Sequence, residues 1–204
     1  MKVLISAFEP FGNSRRNSSL DTLHSLQKNI GDCSVNTITL PVVYGLCGQV
    51  LCSAIDAIRP DFVLSLGQAE GRGQITPEYA ALNIRHSDAE DNLTQVYHAS
   101  PISENGPAAY FSRIFPDKLA AHLASHSFPA SLSFTAGTFV CNDLMYTTLA
   151  FCEKIGIRAG FIHLPLSYEI AAAEGKAGRV LTLPQSVLTD AVIESVSFIA
   201  DCIG

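Results

Sequence analysis

The apolar positions of this chain fall into two kinds of pattern that alternate with one another. Short runs of strand length occur at Val3 to Phe8, at VNTITLPVV (35–43), at DFVLSLG (61–67), at SLSF (131–134) and at RAGFIHLP (158–165). The apolar run at Val3 to Phe8 suits a strand buried on both faces, and VNTITLPVV alternates like a strand. Between them, Leu20, Leu23 and Leu26 recur at helical spacing, with Asn17 or Ser18 as N-cap and Gly31 as terminator. LCGQVLCSAIDAIRP reads as a helix ended at Arg59-Pro60, and PAAYFSRI and PDKLAAHLASH as helices with proline near the first turn. Asn142 to Lys154 and a segment from Gln185 with apolar residues at 187, 188, 192, 196 and 199 complete the helices.

Strands alternating with helices imply an α/β fold: a three-layer α/β/α sandwich around a mostly parallel, twisted central sheet. The length of 204 residues suits one domain spanning 1–204. From Gly67 to Ser103 the regularity fails, apart from a short alternating segment around Tyr79 to Ile84, and so long a loop usually carries function. Sites in such sheets lie outside the carboxyl ends of the strands. Four loops, FEPFGN, GQAEGRGQITPE, AGTFVCND and HLPLSYE, each follow a predicted strand and are expected to converge.

Composition narrows the partners. A 48% hydrophobic, 16% charged chain with net charge −6 and no Lys/Arg run offers no electrostatic footprint for nucleic acid or an anionic membrane. MKVLISAFEPFG is too short and too soon broken for a signal peptide, and no segment is long enough to span a bilayer, so a cytoplasmic protein is expected. Cys33, Cys47, Cys52, Cys141, Cys152 and Cys202 form neither a CxxC pair nor a zinc-ligand spacing, which points to small buried hydrophobes in a reducing compartment.

One cysteine stands apart. Cys141 falls between a predicted strand and the first turn of a helix, where the macrodipole and free N–H groups favour thiolate and lower the thiol pKa. A thiolate nucleophile needs a proton shuttle, and His163 alone of six histidines ends a well-defined strand; His86 and His98 lie in the irregular loop. A carboxylate should orient the imidazole; Glu78 is the leading candidate, with Asp143 and Glu70 as competitors. Phe8 and Phe11 would serve either as core or as walls of a flat apolar pocket. There is no GxSxG elbow, no phosphate loop, no GxGxxG and no metal motif, so neither a metal nor an organic cofactor is expected.

The runs FEPFG, GQAEGRGQITPE, AGTFVCN and GFIHLP, in this order, resemble the pyroglutamyl peptidase I family of cysteine peptidases, from the first strand through the last helix. The resemblance implies Cys141 as nucleophile, His163 as general base and acid, and Glu78 as the orienting carboxylate. The substrates it implies are peptides capped by N-terminal 5-oxoproline. It further implies that Phe8 and Phe11 sandwich the lactam ring, that Gln68 reads its polar edge, and that Phe139 and Val140 complete the wall. Arg72 and Gln68 are candidates for oxyanion donors beside backbone N–H groups, and a homo-oligomer, often a tetramer, is expected. The chain departs from the family's usual pattern at Ala7, Asn13 and Ser18, at Tyr79 in place of an arginine, and at Ala89 and Glu90 in place of an apolar residue and proline. These changes predict one wall more open or more polar than usual. Two rival readings are a related α/β/α hydrolase for another small cyclic amide and a non-catalytic lactam-binding homologue.

Overall fold

A computed structural model describes residues 1–204. The elements in chain order are β1 (Lys2–Phe8), α1 (Ser18–Ser25), β2 (Asn29–Ile30), β3 (Cys33–Leu40), α2 (Leu46–Ile58), β4 (Phe62–Gln68), β5 (Thr76–Pro77), β6 (Ala80–Leu82), β7 (Arg85–Ser87), β8 (Tyr97–Ser100), β9 (Ala109–Phe111), α3 (Pro116–Ser125), α4 (Val140–Ile155), β10 (Arg158–Leu164), α5 (Tyr168–Ala173) and α6 (Gln185–Ile203). Six strands form one sheet in the order β2-β3-β1-β4-β10-β5. The middle four are mutually parallel, and the short edge strands β2 and β5 run antiparallel to them.

The period of two along each strand divides the interior. Val3, Ile5, Ala7, Phe62, Leu64, Leu66, Ile162 and Leu164 face α1, α3 and α6, while Leu4, Phe8, Val63, Ala159 and Phe161 face α2 and α4. Twenty buried apolar residues gather on one side and nineteen on the other, so both faces are covered and the architecture is the expected α/β/α sandwich. No helix is long and apolar enough to cross a membrane.

Three expectations are corrected. PAAYFSRI is not helical: Ala109–Phe111 pairs with Ala80–Leu82, and Tyr110 packs edge-on against Tyr146 at 4.8 Å. The two adjacent aromatics favour a pleated surface once a partner strand is present. SLSF is not a sheet strand. It lies extended and parallel beside β5, through the bridges Ile75↔Ala130 and Glu78↔Ser133 and backbone bonds from the Ser131 N–H to the Ile75 carbonyl, the Ser133 N–H to the Pro77 carbonyl and the Tyr79 N–H to the Ser133 carbonyl. Helix α1 stops at Ser25, and Gly31, at φ +52°, instead turns β2 into β3.

Candidate active site

Helix α4 begins with Val140 and Cys141, and the N-cap Phe139 supplies no side-chain cap. The N–H groups of Asn142 and Asp143 bond to the Phe139 carbonyl, whereas those of Val140 and Cys141 have no backbone acceptor. Two donors at the positive end of the helix therefore stay available beside the sulfur.

The sheet brings the imidazole to the same place. Gly67 and His163 are register partners on β4 and β10, and a Cβ placed on Gly67 would lie 3.1 Å from the Cys141 Sγ. The sulfur therefore sits over the glycine next to His163, on a strand spacing of about 4.8 Å. His163 is in turn paired with Thr76 on β5, and the Glu78 N–H bonds to the Phe161 carbonyl at 2.9 Å. Alternation thus puts Thr76, Glu78, Phe161 and His163 on one face. Glu78 Oε1 lies 2.7 Å from His163 Nδ1 and 2.6 Å from Arg72 Nη1, and the glutamate is fully buried. With Nδ1–H directed at the carboxylate, Nε2 is the nitrogen left to exchange a proton with the thiol.

The competitors are placed elsewhere. Asp143 is buried and engaged, accepting from Arg85 Nε at 2.5 Å and from the Gly45 N–H at 2.7 Å. Glu70 pairs with Lys176 at the surface. His86 and His98 pack against each other on the β7–β8 hairpin. Arg72, a candidate oxyanion donor from sequence, has its Nη1 on Thr76 Oγ1 and Glu78, so only its other N–H groups could serve that end.

Charge in the site differs from the sequence expectation. Burial, reinforced by the Glu78 carboxylate, pushes the Cys141 thiol up to about 12, against the pull of Arg72. Burial also holds His163 below its ordinary value, although the Glu78 bond and charge oppose this. Burial alone would raise Glu78, but the hydrogen bond and charge of His163, then Ser133 and Arg72, hold it below the usual carboxylate range. These directions favour a neutral thiol and a neutral imidazole over an ion pair, with the carboxylate ionised behind them. Desolvation outweighs the helix terminus because the sulfur is enclosed by the tertiary structure, which the sequence does not display.

Beside the sulfur opens a small, partly open cavity lined by Phe8, Phe11, Asn17, Val42, Gln68, Phe139, Val140 and Cys141. Phe11 and Phe139 face each other with ring centroids 6.2 Å apart. Gln68 Oε1 accepts from the Ser18 N–H at 2.7 Å and from Ser18 Oγ at 2.9 Å. With its oxygen so held, the Gln68 amide N–H₂ is the end presented to the cavity. Three of the four expected loops supply lining residues, and the fourth, HLPLSYE, ties in through the Ser167 N–H to Ser18 Oγ at 2.8 Å. Asn17 and Val42 were not anticipated as lining. Asn17 was visible only as a helix cap, the role its Oδ1 does fill toward Ser19; Val42 follows the carboxyl end of β3, a loop the topology rule also covers.

A thiol, an imidazole and a carboxylate from three separate segments, at one side of an apolar slot with spare N–H donors, are the parts of a cysteine hydrolase. The family model described as pyroglutamyl peptidase matches residues 1–202. A pyrrolidone-carboxylate peptidase of Thermoanaerobacter sp. (strain X514) is 42% identical over 81% of this chain and 82% of its own length. Among solved structures, the pyroglutamyl peptidase I from Bacillus amyloliquefaciens superposes with a TM-score of 0.90 at 33% identity, covering 97% of this chain and 94% of that one. The pyrrolidone carboxyl peptidase of Pyrococcus furiosus gives 0.94 at 31% identity over 100% of both. This chain belongs to the pyroglutamyl peptidase family.

Proposed function

We propose that this protein is a cysteine exopeptidase that removes N-terminal pyroglutamate from peptides, with residues 1–204 acting as one peptidase domain. The observation that carries the assignment of roles is the Glu78–His163 contact at 2.7 Å beside a sulfur seated over Gly67. Cys141 Sγ adds to the pyroglutamyl carbonyl carbon while its proton passes to His163 Nε2. The Val140 and Cys141 N–H groups receive the oxyanion. The C–N bond breaks as Nε2 returns the proton to the departing amine, leaving a thioester. Water then adds, again giving its proton to Nε2, and cleavage of the S–C bond frees pyroglutamate and restores the thiol.

The cavity fits a flat neutral lactam. Phe8, Phe11, Phe139 and Val140 supply apolar walls, and Gln68 offers a donor for the ring carbonyl. A free α-ammonium there would be buried without a partner, so an uncapped N-terminus is excluded. Six free thiols are in keeping with a cytoplasmic setting. The exposed aromatics Phe111 and Phe134, each packed against the exposed Tyr79, support a homo-oligomer such as a tetramer.

Release of a fluorophore from a pyroglutamyl amide, by wild type and by Cys141→Ala, tests the proposal. Turnover by wild type alone is expected. No turnover by pure folded wild type, or equal turnover by the variant, would overturn it.

A further inference from the structure

On the opposite face of the sheet from Cys141, α3 and α6 pack side by side over the cluster that contains Leu119, Leu123, Val192 and Val196. At their outer edge stand His122, in the last turn of α3, His126, its C-cap, and Glu194 of α6. One potential ligand atom from each lies within 4.8 Å of the others. The proposed catalytic cycle uses none of them.

The groups lie close enough for small side-chain movements to bring them onto one ion. His126 Nδ1 lies 2.9 Å from the His122 carbonyl. That contact assigns the proton to Nδ1 and leaves the Nε2 lone pair free, the usual way a backbone carbonyl fixes a ligating imidazole. His122 is held by Phe198, stacked at 4.5 Å, and its ring lies 4.1 Å from that of His126. His122 Nε2 and Glu194 Oε1 are 2.6 Å apart. An ion bound to both at about 2.0–2.2 Å would need them to separate by only a fraction of an ångström. The donor set, two imidazoles four residues apart and one carboxylate, suits zinc, nickel, cobalt or copper and not magnesium or calcium. His126 is exposed, and the His122 and Glu194 side chains keep 24% and 33% of their surface, so solvent can reach the ion and complete its shell.

We infer that His122, His126 and Glu194 form a binding site for a divalent transition-metal ion that clamps α3 to α6, separate from the nucleophile.

Nickel chloride is the probe, because it favours imidazole and its binding can be followed both calorimetrically and by thermal melting. Wild type should bind one nickel ion per chain with a melting temperature that rises with nickel concentration. His126→Ala and Glu194→Gln should each weaken that binding more than tenfold and remove the rise, while leaving nickel-free turnover of a pyroglutamyl amide unchanged. His126 is exposed, so its variant will fold even if changes at His122 do not. No binding to wild type, or undiminished binding by both variants, as expected of ions held by the cysteines, would overturn the inference.

Discussion

Two helices of this protein present a cysteine as their second residue, and only one of the two sets it beside an imidazole, the setting in which we propose it acts as the nucleophile. Cys47 follows Leu46 at the start of α2, and Cys141 follows Val140 at the start of α4. The macrodipole argument applies equally to both. Cys47 is fully buried, with its sulfur 3.9 Å from the Asp143 carboxylate, and burial followed by that charge pushes its thiol well above the ordinary value. Cys141 is also raised, yet it borders a cavity and lies over the glycine beside His163. A helix terminus thus does not activate a thiol by itself. The difference is a base on the neighbouring strand and a space for the reacting carbonyl.

The sharpest break in the comparison is to remove each sulfur in turn. Cys141→Ala should lower kcat by at least about 10⁴-fold. Cys47→Ala should leave kcat/KM within a small factor and destabilise by about 1 kcal/mol. Steady-state turnover and urea melts of both variants decide it, and comparable losses of activity would erase the distinction. Next in size is Glu78→Gln, which keeps the shape of the contact with His163 but not its charge. A fall of about 10²–10⁴ in kcat with little change in KM is expected, by analogy with loss of the carboxylate in a Ser-His-Asp triad.

Asp143 links the two helix starts, because it accepts from Gly45 just before α2 and from Arg85 while lying two residues past Cys141. Asp143→Ala leaves a largely buried arginine unpaired and should destabilise by about 3–5 kcal/mol. A roughly tenfold loss of turnover should accompany it as the first turn of α4 shifts, since small displacements of a catalytic group are costly. A denaturation midpoint equal to that of wild type would count against this linking role.

The smallest effects concern pH. His163 is held below its ordinary value of 6.5 and acts as a base only when neutral, so the acid limb of kcat/KM should lie below 6.5. Glu78 raises the His163 pKa and Arg72 lowers it. Residual activity of Glu78→Gln should therefore show the limb moved to lower pH, and Arg72→Gln should move it higher. For stability, both Glu78 and His163 are depressed in the folded state. Each contributes stability present above its unfolded value and lost as pH falls toward its folded one. With burial raising the Cys141 thiol, its alkylation by iodoacetamide should climb with pH. A plateau starting in acid would instead indicate a preformed thiolate–imidazolium pair.

Much of this was legible in the chain. The central strands β1, β4 and β10 are apolar runs whose burial leaves no alternative, and His163 lies near the carboxyl end of one of them, whereas Cys141 was legible from the start of helix α4. What was not legible depends on partners distant in sequence. Ala109–Phe111 is a strand only because Ala80–Leu82 lies beside it, and SLSF is held by bridges and backbone bonds that no periodicity reports. In the site, the residue types pointed to a thiol, an imidazole and an acid, but the direction of the Cys141 shift depends on enclosure by several segments. The seat of Arg72 on Glu78 depends on how the GRGQITPE turn closes, and glycine spacing does not specify that closure.

Gly67 also constrains how this sequence can change. A methyl group there would meet Phe161 at 2.7 Å as well as the Cys141 sulfur at 3.1 Å. Any single-base change that replaces a glycine codon by another amino acid adds at least a Cβ, so no substitution one step away leaves the sulfur where it is. The position has no neutral neighbour in sequence space, and it imposes this without contributing any side chain.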